Sequence, residues 1–167
     1  AAFLNREKAI TFSTGFQANL GVISTLAGRD DIILVDRADH ASIIDGTRMS
    51  FARVLKFRHN DIDHLRHQLE KHRDQAALIV ADGVFSMEGD LADIPGLVSA
   101  ARDFGARLMI DDAHGVGTMG AHGRGTAEHY GCEEDVDILV GTFSKSFACI
   151  GGFAAGPSKV IDYIKHT

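Results

Sequence analysis

Four short apolar runs constrain this chain more than any other feature: Ile32-Ile33-Leu34-Val35, Ala77-Leu78-Ile79-Val80-Ala81, Leu108-Met109-Ile110 and Ile138-Leu139-Val140. None shows polar alternation, so each asks for apolar cover on both faces, the condition of a strand inside a parallel sheet. Residues 9–12, 54–57 and 152–155 read as further strands. Between them lie helical patterns. Ser13-Thr14-Gly15 forms a turn and cap into a helix ending near Leu26, and Asp39-His40-Ala41-Ser42 opens a second helix. Residues 61–72 form a third, with Ile62, Leu65 and Leu69 on one face, and residues 94–104 a fourth, closed by Gly105 as a C′ glycine. Strands alternating with helices imply right-handed βαβ units, hence an α/β fold with a mostly parallel sheet and helices on both faces. Residues 152–155 follow Ile138-Leu139-Val140 too closely for a helical crossover, so that strand is expected to run antiparallel.

At 167 residues, 45% of them hydrophobic, the chain matches one domain with a sizeable core, and no repeat or linker divides it. A net charge of −6 with interspersed signs argues against nucleic acid as a partner. No apolar run approaches the roughly 20 residues of a membrane helix, and the first residues are wrongly ordered for a signal peptide. A cytoplasmic location is expected, with Cys132 and Cys149 as reduced thiols. Ala1 lies close to a strand and residues 165–167 lie within a helical stretch, so the chain is expected to be a fragment of a longer enzyme.

Lys145 carries the strongest chemical signal. It sits in Thr142-Phe143-Ser144-Lys145-Ser146, after a buried-strand run and before Gly151-Gly152. Strand ends in α/β proteins point into the ligand crevice, where an amine flanked by hydroxyls and glycines has room to form an imine with a carbonyl cofactor. Pyridoxal 5'-phosphate is the candidate, because it needs a lysine for that bond and an acid facing its ring nitrogen. Asp111, ending the run from Arg107, supplies the acid. Ser13-Thr14-Gly15-Phe16 precedes a helix whose first N–H groups suit a phosphate, and Thr142 and Ser144 add hydroxyl donors. His40 is either a helix cap or a flat ring able to stack on a pyridine. Ser86 is either a loop hydroxyl or a donor to a phenolic oxygen.

Other readings are weaker. Asp111-Asp112-Ala113-His114 lacks the further ligands that a metal requires, so no metal site is expected. His64, His67 and His72 read as a solvated helix face. Gly115-Val116-Gly117-Thr118-Met119-Gly120 satisfies GxGxxG after a strand, but Gly123 and Gly125 prolong the loop where a dinucleotide site needs a helix.

Together the residues resemble the α-oxoamine synthases, a branch of the fold-type I pyridoxal phosphate enzymes. The resemblance spans nearly the whole chain. It rests on Thr14-Gly15-Phe16-Gln17-Ala18-Asn19, Asp39-His40-Ala41-Ser42-Ile43, Phe57-Arg58-His59-Asn60-Asp61, Asp82-Gly83-Val84-Phe85-Ser86-Met87, Asp111-Asp112-Ala113-His114-Gly115, Gly123-Arg124-Gly125 and Gly141-Thr142-Phe143-Ser144-Lys145. Residues 142–153 are most similar to bacterial serine palmitoyltransferases, and residues 40–46 also to glycine C-acetyltransferase and 8-amino-7-oxononanoate synthase. The resemblance implies condensation of a small amino acid (serine, glycine or alanine) with an acyl-CoA thioester and loss of carbon dioxide, in a homodimer. It implies Lys145 as the cofactor-bound lysine, Asp111 against the pyridine nitrogen, and His114 and Ser86 at the phenolic oxygen. Gly15 and Phe16 would meet the phosphate with Thr142 and Ser144, and His40 would stack on the ring. Residues 1–167 would then be the cofactor-binding large domain, without the N-terminal segment and the C-terminal small domain of the family. A non-catalytic cofactor-domain fragment is the alternative from another class.

Overall fold

A computed structural model describes residues 1–167. Seven strands form a single sheet: β1 (Lys8–Phe12), β2 (Ile32–Asp36), β3 (Arg53–Phe57), β4 (Ala77–Asp82), β5 (Arg107–Asp111), β6 (Ile138–Thr142) and β7 (Gly152–Gly156). Their order is β1-β7-β6-β5-β4-β2-β3. Strands β2 to β6 pair in parallel, and β7 alone runs against its two neighbours, β6 and β1. The short β6–β7 connection dictates this reversal, as the sequence implies.

The apolar runs are buried as their composition requires, with alternate residues feeding two cores. On one face Leu34, Ile79, Leu108, Ile110 and Leu139 meet helices α3 (Ile62–Lys71) and α4 (Ile94–Phe104) through Leu65, Leu69, Ile94 and Leu97. On the other, Ile33, Val35, Val80, Met109 and Val140 meet α1 (Gly15–Leu26), α2 (Ala41–Met49) and α6 (Ser158–His166) through Val22, Ile23, Ile43 and Ile161. Each such side chain contributes about 1.5–3 kcal/mol on burial, which is why runs with no polar member are tolerated in mid-sheet. No helix is long and apolar enough to cross a membrane.

Local chemistry sets the helix ends. Thr14 caps α1 by accepting from the Gln17 N–H at 3.0 Å, and Asp61 and Asp93 do the same for α3 and α4. Gly105 ends α4 at φ 66°, a left-handed position that glycine occupies without penalty. Asp61 and His72 therefore flank α3 rather than belong to it. The face of α3 is less solvated than its histidines suggest. His67 is exposed, but His64 accepts the Arg58 N–H through Nδ1 at 2.9 Å, and His72 is half-buried with no partner for Nε2.

The β5-to-β6 connection departs from the βαβ pattern, since it is a glycine-rich loop holding the four-residue α5 (Thr126–His129) and one 3-10 turn at Glu133–Asp135. Gly117, Gly120, Gly123 and Gly125 all have positive φ. A Cβ on Gly115 or Gly125 would run into the carboxylate of Asp112, which is wholly buried and takes the Thr126 N–H at 2.6 Å. These glycines wrap a buried acid, and no helix follows Gly120 to receive a pyrophosphate.

Candidate active site

The strand order reverses between β2 and β4, and in an open α/β sheet ligands bind at the carboxyl ends of the strands beside such a reversal. A cavity of about 250 Å³ opens there, lined by 14 residues of which only two are hydrophobic. All nine residues singled out in the sequence reach it: Gly15, Phe16, His40, Ser86, Asp111, His114, Thr142, Ser144 and Lys145. Thr14, Asn19, Ser42, Asp82 and Ala113 complete the lining, and sequence reasoning assigned none of them a role in the site.

Asp111 ends β5 and is 6% exposed. Its Oδ2 accepts from Asn19 Nδ2 at 2.6 Å and its Oδ1 from the Ala113 N–H at 3.1 Å. Burial raises its pKa, opposed by these hydrogen bonds and by the charge of Lys145. Asn19 Nδ2 also donates to Ser42 Oγ at 2.8 Å, and Ser42 Oγ lies 2.7 Å from His40 Nδ1. That imidazole nitrogen also accepts the Ser42 N–H at 3.2 Å, so the proton belongs on Nε2. His40 is thus both helix cap and cavity wall, and the two readings of it are compatible. One buried asparagine connects the acid to the histidine, and its Oδ1 has no partner within the chain.

Opposite Asp111, Lys145 sits in the tight β6–β7 connection. The loop is held by Phe143 N–H to Gly151 O, Cys149 N–H to Phe143 O and Ser146 Oγ to Val116 O, at 2.9, 2.8 and 2.6 Å. Burial lowers the amine's pKa, against the raising effects of Asp111 and Asp82. His114 is also lowered, first by burial and then by the charge of Lys145, which favours a neutral ring.

A third group of residues gathers at the start of α1. The Gln17 and Ala18 N–H groups are taken by Thr14 Oγ1 and Thr14 O, which leaves those of Gly15 and Phe16 without intrahelical partners. Thr142 Oγ1 and Ser144 Oγ stand 2.8 Å apart beside them. A Cβ on Gly15 would lie 2.9 Å from Thr142 Cβ, so the bare glycine keeps this corner open. Two free N–H groups, the Ser144 hydroxyl and a helix N-terminus form a donor set that suits a phosphate monoester, with the Thr142 hydroxyl beside them donating to Gly151 O at 3.0 Å. A Cβ on Gly152 would meet Thr14 O at 2.5 Å and Gly15 N at 2.6 Å, both backbone atoms. Gly152→Ala is accordingly expected to push the turn off β7 and to destabilise the protein by about 1–3 kcal/mol. A thermal melt checks this, with an unchanged midpoint as the contrary result.

Asp111 and Asp112 diverge, one into this cavity and one beneath the glycine loop, and so do not form a shared ligand set. Cys132 and Cys149 are unpaired.

A serine palmitoyltransferase from Sphingobacterium spiritivorum is 56% identical over 164 residues, covering 98% of this chain and 41% of the relative. An 8-amino-7-oxononanoate synthase from Methylococcus capsulatus is 50% identical, covering 98% of this chain and 43% of the relative. Among solved structures, a serine palmitoyltransferase from S. paucimobilis with a bound PLP-myriocin aldimine superposes with a TM-score of 0.96 at 40% identity, over 99% of this chain and 42% of that one. The chain thus spans about two fifths of the length of these relatives. The family model for aminotransferase class I and II matches residues 1–167, and the chain belongs to that family, in its α-oxoamine synthase branch.

Proposed function

We propose that this chain is the cofactor-binding domain of a pyridoxal 5'-phosphate-dependent acyltransferase that condenses a small amino acid with an acyl-CoA thioester and releases carbon dioxide. The carrying observation is that Lys145 and Asp111 line one polar cavity with a phosphate-sized donor set at its end. Bound there, the cofactor supplies an electron sink for a carbanion at the amino acid's Cα.

The chain's own residues prepare the rest. Lys145, with its pKa lowered by burial, provides a neutral amine more readily than a free lysine does, first for covalent attachment and then as a proton carrier. Asp111 holds a proton on the ring nitrogen. Its two hydrogen bonds fix the carboxylate, so no reorientation is needed as charge develops. His40, pinned through Ser42 and Asn19, would stack against the cofactor's ring and help to orient the substrate. Gly15 and Phe16 N–H with Thr142 and Ser144 hold the phosphate, while Ser86 and neutral His114 address the phenolic oxygen.

Serine with a long-chain acyl-CoA is the favoured substrate pair, because several of the most similar relatives bear the name serine palmitoyltransferase. Condensation as an 8-amino-7-oxononanoate synthase is the second reading, at 45–50% identity. We place the enzyme in the cytoplasm as a homodimer. Met87 and Ile150, on the loops carrying Ser86 and Lys145, are 89% and 86% exposed, and a second subunit would cover them. The test is an assay of a protein containing this chain and the remaining length of its relatives. Serine, glycine and alanine are paired with short and long acyl-CoA thioesters. Release of carbon dioxide with serine and the long thioester is expected to exceed every other pairing, and a preference for alanine would transfer the assignment to the second reading. No turnover with any pair, despite bound cofactor, would favour a non-catalytic role.

A further inference from the structure

Asp82 plays no part in the roles above, yet it ends β4 as the register partner of Asp111 on the adjacent parallel strand, and both acids line the cavity. The two are 7% and 6% exposed. Side chains at paired positions of parallel neighbours project to the same side, so two carboxylates here face each other's charge in a site largely removed from water. Their hydrogen bonds are unequal. Asp111 receives donors on both oxygens, from Asn19 and the Ala113 N–H, whereas Asp82 receives only the His40 N–H, on Oδ2 at 2.8 Å. Its Oδ1 has no partner in the chain.

We propose that Asp82 and Asp111 form a carboxyl pair sharing one proton, carried on Asp82 Oδ1, and that Asp82 is thereby a positioning residue that leaves Asp111 as the ionised member. Like charges at register-paired positions of adjacent strands, both buried, do not both ionise readily, and the acid with fewer donors keeps the proton. The charged and titratable groups around Asp82 oppose one another, and those that favour its protonated form prevail. Asp36, at the end of β2, adds negative charge, whereas Asp39, whose Oδ1 accepts the Asp82 N–H at 2.9 Å, is itself held well above the ordinary carboxylate range by burial and then by the charge of Asp82. Lys145, from the β6–β7 loop, is the cation that lowers both acids, and the His40 N–H, bonded to Asp82 Oδ2, lowers Asp82 as well. Burial, followed by the charge of Asp111, pushes Asp82 up to about 8. The proton comes from water and returns to it, so no other reactant is involved. Neutral Asp82 holds the His40 backbone through Oδ2 and offers an O–H donor from Oδ1 to an acceptor oxygen in the cavity.

The functional consequence rests on the reading of Asp111 as the ring-nitrogen partner, but the pair itself is testable in the cofactor-free chain. Aspartate labelled with ¹³C at Cγ and assigned through the backbone is titrated by NMR in wild type, Asp82→Asn and Asp111→Asn. Asp82 is expected to titrate far above the ordinary carboxylate range. Its midpoint is expected to fall by more than about one pH unit in Asp111→Asn, because the like charge is gone. An ordinary midpoint for Asp82, or one unmoved in Asp111→Asn, would overturn the pair. Wild type and Asp111→Asn carry this test if Asp82→Asn fails to fold. With pyridoxal phosphate bound, the visible band of Asp82→Asn should follow wild type below the Asp82 midpoint, where the residue replaced is neutral, and should lack the change that wild type shows as Asp82 ionises above it, whereas a profile displaced below that midpoint counts against placing the proton there. Because the titration needs no cofactor, its failure leaves the pyridoxal phosphate reading standing, and absence of cofactor binding leaves the pair standing.

Discussion

Lys145→Ala is expected to remove covalent retention of pyridoxal phosphate while leaving the fold intact. The side chain is exposed at the cavity, and the loop around it is held by main-chain bonds and by Ser146, none of which uses the amine. Its loss should therefore change stability by no more than about 0.5 kcal/mol. The chemistry should respond very differently. Attachment and proton transfer both pass through this nitrogen, and loss of a positioned proton-transfer group alone costs about 10²–10⁴-fold. Absorbance after dialysis against cofactor-free buffer provides the measurement. Wild type should keep its visible band and the variant should lose it. A variant that retained the same band would show that another amine holds the cofactor.

Asp111→Asn should lower turnover by about 10²–10³-fold, the typical cost of losing one preorganised electrostatic partner. The same change is expected to make the cofactor-free protein less sensitive to alkaline pH. Burial raises the folded-state pKa of Asp111 above its unfolded value. Such a group binds its proton more tightly when folded, so its contribution is present at low pH and is lost as pH rises through the folded pKa. Asparagine has no proton to lose and can still offer an oxygen to Asn19. Thermal melts from about pH 5 to pH 9 should accordingly show a smaller decline for the variant than for wild type. Equal declines would mean that the Asp111 carboxyl titrates alike in the folded and unfolded protein.

A loss of activity joined to a gain in alkaline tolerance is what a buried functional acid should show, and it separates that role from a structural one. An acid retained for stability would weaken the fold when replaced.

Much of this was legible in the sequence, for identifiable reasons. The buried runs declared the central strands, because a segment without polar alternation has only a two-sided apolar layer to enter. The spacing between β6 and β7 declared the antiparallel strand. Gly105 marked the end of α4 through local chemistry alone. Lys145 and Asp111 were readable because each terminates or follows a strand, and the parallel ends converge on one edge of the sheet.

What escaped depends on relations between distant segments. Asn19 lies among the apolar residues of α1, and only the packing of that helix near the β5 end brings its amide to Asp111, 92 positions away in sequence. A polar residue in mid-helix among Ala18, Val22 and Ile23 was the available signal. Asp82 needed the β4–β5 register, which no local pattern encodes. The glycines after Asp112 mimicked a dinucleotide motif because a buried carboxylate and a pyrophosphate both demand close backbone approach. His64 is a local exception, its Nδ1 taking the N–H of Arg58 six positions earlier in place of water.

The central claim is that one amine in this chain holds a carbonyl cofactor covalently against Asp111. Borohydride reduction of the pyridoxal phosphate-loaded protein, followed by proteolysis and mass mapping, tests it directly. A single stable phosphopyridoxyl label on Lys145 is the expected result. A label on Lys8, Lys56, Lys71, Lys159 or Lys165 in its place, or no label on any lysine, would contradict it.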